Sequence, residues 1–145
     1  MTITAVGASD SPQAISVSLT VSAASPSISL SASQTSFAYT LGGNAPASQT
    51  INISNGGGGT LSWSASSNSS WLTVSPPLGA GAGTLTLAIN TAGLSAQTYT
   101  GDITVTASGA SNSPQTISVS LVISTSSTLP IITSVGGIVI FASAQ

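Results

Sequence analysis

The sequence predicts an all-β protein: an Ig-like antiparallel β-sandwich with an extra N-terminal hairpin and an extended C-terminal strand. Three observations carry that prediction. Apolar and polar residues alternate with a period of two in one segment after another. Glycine, proline and asparagine cluster between those segments. A stretch near the N-terminus also recurs 102 residues later: over residues 2–22 against 104–124, 15 of 21 positions are identical. That offset is the size of one Ig-like sandwich.

The segments follow in order. Ile15-Ser16-Val17-Ser18-Leu19-Thr20-Val21 alternates cleanly, as do Ser27–Ser31, Thr50–Ser54, Leu61–Ala65, Leu85–Ile89, Ile103–Ala107 and Ile117–Leu121. A period of two puts the Ile, Leu and Val of each strand on one sheet face and its Ser and Thr on the other. Phe37 and Tyr39 share a face of one short strand, and Leu72 and Val74 share a face of another. No segment sustains a 3.6-residue period, so no helix is expected. Turns are expected at Leu41–Pro46, Asn55–Gly59, Pro76–Gly83 and Ser108–Pro114. The predicted organisation is a partial repeat at 1–24, one sandwich at 25–124 and a tail at 125–145.

Composition narrows the function. Of 145 residues, 31 are Ser and 19 are Thr; there is no Lys, Arg, His, Cys or Glu, and Asp10 and Asp102 are the only charged side chains. Binding to nucleic acid needs cations against phosphates, and the chain has no cationic side chain. Disulfides, Cys/His metal centres and catalysis by His, Lys or Cys are equally excluded. The serines have no base to activate them. A glycosidase needs two carboxyl groups about 5–10 Å apart, and the two aspartates fall in different copies of the repeat. Asp10 occupies the position of Asn112, which points to a turn role. The Asx-rich run of a calcium loop is missing. No catalytic, cofactor or metal site is therefore expected. The 41% apolar fraction separates the chain from disordered Ser/Thr tracts. Its near-neutral surface favours self-association and fits an extracellular or cell-surface setting. The most apolar stretch, residues 131–144, is broken by Gly136-Gly137 and falls short of the roughly 20 residues of a spanning helix.

One set of motifs resembles a known family. Trp71-Leu72-Thr73-Val74-Ser75-Pro76, then Thr84-Leu85-Thr86-Leu87, then Thr98-Tyr99-Thr100-Gly101-Asp102-Ile103-Thr104-Val105 and Ser113-Pro114-Gln115-Thr116-Ile117-Ser118-Val119 are similar to the BACON-type Ig-like domain over residues 25–124. The resemblance implies a sandwich fold, occurrence in tandem in large secreted bacterial proteins, and binding of carbohydrate or mucin. The absence of basic residues sets this chain apart from that family.

Candidate functional residues fall into three groups. Ile3, Ile15, Val17, Leu19 and Val21 in the hairpin, and Ile131, Ile132, Val135, Ile138, Val139, Ile140 and Phe141 in the tail, are apolar β elements without mates in their own copy. They are the candidate contacts of a head-to-tail homo-oligomeric fibre built by strand complementation. Asn52 and Asn68 head Asn-x-Ser sequons and are candidate glycosylation sites. Trp71, on the face opposite Leu72 and Val74, and Tyr99 are candidate sugar contacts in the alternative reading, a carbohydrate-binding module. Trp63 alternates with Leu61 and Ala65 and reads as core.

Overall fold

The computed structural model describes residues 1–127 and, as backbone, the strands at 132–135 and 138–141. Residues 25–124 form a two-layer sandwich of nine strands. β3 (Ile28–Leu30), β5 (Gln49–Asn55), β9 (Gly83–Ile89) and β7 (Leu72–Ser75) make a four-stranded sheet in that order. The five-stranded sheet has the order β4 (Gln34–Thr40), β11 (Gln115–Ser124), β10 (Thr98–Ala107), β6 (Ser62–Ser67) and β8 (Leu78–Ala80). All pairs are antiparallel except one: β4 runs parallel to β11, with Ser118 opposite Gln34 and Ser124 opposite Thr40. The first strand of the sandwich thus begins in one sheet as β3, crosses at Ser31–Ser33 and continues in the other as β4. No described residue is helical.

The period-two pattern explains the core. Phe37, Trp63, Ala65, Ile103, Val105, Ile117, Val119, Leu121 and Ile123 face inward from the five-stranded sheet. Ile28, Ile51, Ile53, Leu72, Leu85 and Leu87 meet them from the other. Ser and Thr take the alternate positions and face out, and no buried polar or charged residue interrupts the apolar layer. Trp63 shows how closely the sheets are tuned. Its indole lies across β8, where a carbon added at Gly79 would stand 2.1 Å from the ring, and its Nε1 donates to the Gly81 carbonyl at 3.2 Å. β3, β7 and β8, three of the four edge strands, span only 3, 4 and 3 residues, which limits sideways pairing.

The ends of the chain depart from expectation. Residues 2–22 form a hairpin loop, but only β1 (Thr2–Ile3) and β2 (Gln13–Ala14) pair in it. The alternating segment Ile15–Val21, expected as a strand, is not one: Val17 is 79% exposed and Leu19 85%. Their repeats, Val119 and Leu121, are 2% and 0% exposed. The sequence is nearly the same; the difference is the neighbours. β11 lies between β10 and β4 and faces a second sheet, whereas Ile15–Val21 has none of these. The tail was expected as one extended strand. It instead carries an antiparallel hairpin, β12 (Ile132–Val135) and β13 (Ile138–Phe141), in a sheet of its own with Ile132 opposite Phe141 and Val135 opposite Ile138. Ile131 lies outside the described residues. The structure also adds β8, which lies within the Pro76–Gly83 segment expected as a turn.

Candidate functional site

The hairpin at 2–22 is a faithful copy of the end of the sandwich. Thr2 pairs with Ala14 and Ile3 with Gln13, in the register in which Thr104 pairs with Thr116 and Val105 with Gln115. Ser11 Oγ accepts from the Ala5 N–H at 2.8 Å, as Ser113 Oγ accepts from Ala107 at 2.9 Å. Gln13 donates through its side chain to the Asp10 carbonyl, as Gln115 does to that of Asn112. The Ser11-Pro12 and Ser113-Pro114 peptides are both cis. The same local contacts therefore recur in both copies of the loop. What they leave unbuilt is the apolar row of Ile3, Ile15, Val17, Leu19 and Val21, all exposed.

The segment joining hairpin to sandwich is held from two sides. The Gly58 N–H donates to the Ser25 carbonyl at 3.1 Å, and the Gly56 N–H to that of Ser27 at 2.9 Å. Asn55 Oδ1 accepts from the Ser27 N–H at 3.1 Å. From the β10–β11 loop, the Ser111 N–H donates to Pro26 at 2.9 Å, and the Asn112 amide both accepts from the Ile28 N–H and donates to its carbonyl, each at 2.8 Å. Gly57 permits this approach: a carbon added there would stand 2.3 Å from the Ser25 oxygen. The chain therefore enters the sandwich beside Asn112, at the start of β11. It leaves after Ser124, at the other end of the same ten-residue strand. At about 3.3 Å per residue the two points are roughly 33 Å apart.

The candidate sugar contacts are built into the fold. Trp71 is buried, at 9% exposure, although alternation places it opposite Leu72 and Val74. It sits just before β7 rather than within it, so strand alternation does not govern it. Its ring reaches over Gly101 and packs against Tyr99, with centroids 6.2 Å apart and planes tilted by 58°. Tyr99 is half-buried. Its hydroxyl accepts from the Ser95 N–H at 3.1 Å and meets Ser95 Oγ at 3.3 Å, closing a corner before β10. The Ser95 side chain holds the Tyr99 hydroxyl below the usual phenol pKa. Among the described aromatic side chains, Phe37, Trp63 and Trp71 are buried and Tyr39 and Tyr99 are half-buried.

The polar candidates divide similarly. Asp102 takes a hydrogen bond from Ser118 Oγ at 3.1 Å and a longer one from Asn68 Nδ2 at 3.4 Å. Asn68 Oδ1 accepts from the Asp102 N–H at 2.8 Å, so this pair braces the loop after β6 against β10. A glycan on Asn68 Nδ2 would crowd its 3.4 Å contact with Asp102 and leave the Oδ1 bond in place. Asn52 is exposed on β5, where its Oδ1 accepts from Thr84 Oγ1 at 2.9 Å. Among the described residues no group of three His, Cys, Asp or Glu side chains is placed to hold a metal ion, and no helix is long and apolar enough to cross a membrane.

The fold and its repeated terminal hairpin define an Ig-like β-sandwich module. More particularly, the chain belongs to the viral BACON domain family, whose model matches residues 29–124. No curated protein matches it. Among solved structures it is similar to a Bacteroides ovatus GH5 xyloglucanase in complex with a XXXG heptasaccharide, at 23% identity and a TM-score of 0.52, covering 67% of this chain and 19% of that one. It is also similar to a Porphyromonas gingivalis W83 protein of unknown function, at 20% identity and a TM-score of 0.55, covering 67% of this chain and 46% of the other. The chain spans less than half the length of either protein, and at these identities the likeness is one of fold.

Proposed function

We propose that the chain is a non-catalytic structural module of an extracellular fibre or adhesin-like stalk, joined head to tail through the hairpins at 2–22 and 132–141. The observation that carries this reading is that chain enters and leaves the sandwich at opposite poles, with an apolar β element beyond each. A two-stranded hairpin is marginal alone in water, and three or more strands with an apolar face are needed for stability. Hairpin 2–22 of one subunit and hairpin 132–141 of the next make four strands together. The contact is heterologous, and one that does not close into a ring propagates as a filament. The sandwich keeps its own final hairpin, so a donated strand would not replace β10 or β11. The two hairpins supply the strands that pair across the junction. A surface of hydroxyls and amides with no Lys or Arg suits exposure outside a cell, since it offers no trypsin-type cleavage site. Asn52 is the sequon best placed to carry a glycan in that setting. The packing of Trp71 against a half-buried Tyr99 favours this reading over the carbohydrate-binding alternative.

Deletion of residues 129–145 tests the junction. The full chain is expected to scatter light as a concentration-dependent polymer, and the truncated chain as a monomer of unchanged sandwich stability. A truncated chain that still polymerises overturns the junction.

A further inference from the structure

We propose that the sandwich is a mechanical clamp: pulled from its two ends, it resists because the pull shears the β4–β11 ladder instead of peeling it. The ladder joins the first long strand of the sandwich to the last. Its seven paired positions run from Gln34 opposite Ser118 to Thr40 opposite Ser124. It is extended at both ends by the Ser118 N–H donating to Ser33 and the Leu41 N–H to Ser124, each at 2.9 Å. Because the strands are parallel, tension on the N-terminal side draws β4 backward while tension on the C-terminal side draws β11 forward. The two forces are opposed and lie along the strands. Bonds across the ladder are then loaded together, and none can open before the others. In peeling, each bond of roughly 1 kcal/mol net opens alone.

Two further features direct load into this ladder. The backbone of Ser25–Ile28 is fixed by the hydrogen bonds from Asn55, Gly56, Gly58, Ser111 and Asn112, so a pull enters at a defined point. β3 pairs at only three positions with β5, from Ile28 opposite Asn55 to Leu30 opposite Ile53, and yields first. Load then passes to β4, which Phe37 anchors in the core. The use of such strength rests on the stalk reading above; the strength itself does not.

Single-molecule pulling on the full chain tests the clamp. The chain has no cysteine, so introduced pairs fix the points of attachment. Ala23→Cys with Ser126→Cys, both exposed positions, pulls along the axis. Asn44→Cys with Ser126→Cys pulls from two points at the pole where β4 and β11 both end, and lifts β11 from Ser124 inward. Matching urea midpoints for the two variants ensure that the comparison reports direction alone. The axial pair is expected to unfold at the higher force, after a smaller event as β3 detaches. Equal forces, or a weaker axial response, overturn the clamp. Light scattering on the same variants reads assembly separately, so failure of the stalk and failure of the clamp give different results.

Discussion

Aspartate at position 121 is expected to unfold the sandwich, while aspartate at position 19, the same place in the repeat, is expected to leave it intact and stop assembly. Leu121 is fully buried between the sheets. Leu121→Asp puts a carboxylate among Ile and Leu side chains, and the chain has no cationic side chain to pair with it. An unpaired buried charge belongs to the small class of substitutions that cost more than about 4 kcal/mol. Leu19 is exposed in a hairpin that shares no sheet with the sandwich. Leu19→Asp therefore leaves the urea midpoint followed by tryptophan fluorescence where it was. It also puts charge into the apolar row that the neighbouring hairpin must cover, so the light-scattering signal of polymer is lost. A Leu19→Asp chain that polymerises as before means the row is not part of the contact.

The second large effect concerns Trp63 and the strand that covers it. Trp63→Ala removes one of the two core tryptophans and is expected to cost about 3–5 kcal/mol. Gly79→Ala drives a methyl group into the same ring. β8 or the indole must move, at a cost of about 1–3 kcal/mol for overpacking. The two effects share one contact, so they are not additive. In the Trp63→Ala background the new methyl group meets a cavity, and Gly79→Ala is expected to cost little there or to restore some stability. Urea melts of the two single variants and the double variant check this. Additive losses would mean that Gly79 is required for some other reason than the ring across it.

These residues also show what a one-dimensional pattern can hold. The strands of the sandwich were legible because alternation records which face of a strand is buried, and the face is a local property. Alternation does not record a partner. Ile15–Val21 and Ile117–Ile123 carry nearly the same pattern, yet only the second has strands on both sides and a sheet opposite. β8 was hidden because Pro76-Pro77 and the glycines around it look like a turn, although Gly79 is there to admit Trp63. Trp71 stands one residue outside its strand, where period-two reasoning assigned a face that the backbone does not impose. The tail hairpin had a usable signal in the sequence: a Gly-Gly pair between two apolar runs is a pattern that favours a two-residue hairpin. The parallel pairing of β4 with β11, and the grip of Asn112 on Ile28, link residues 84 apart. No local pattern encodes such a link, so the mechanical reading depends wholly on the fold.

The central claim is that apolar hairpins at opposite poles join copies end to end. Electron microscopy of the full-length chain at rising concentration tests it most directly. The account gives unbranched filaments whose axial repeat exceeds the roughly 33 Å of one sandwich, since each step also contains a junction. Uniform single particles of one chain at every concentration, or closed dimers, would contradict it.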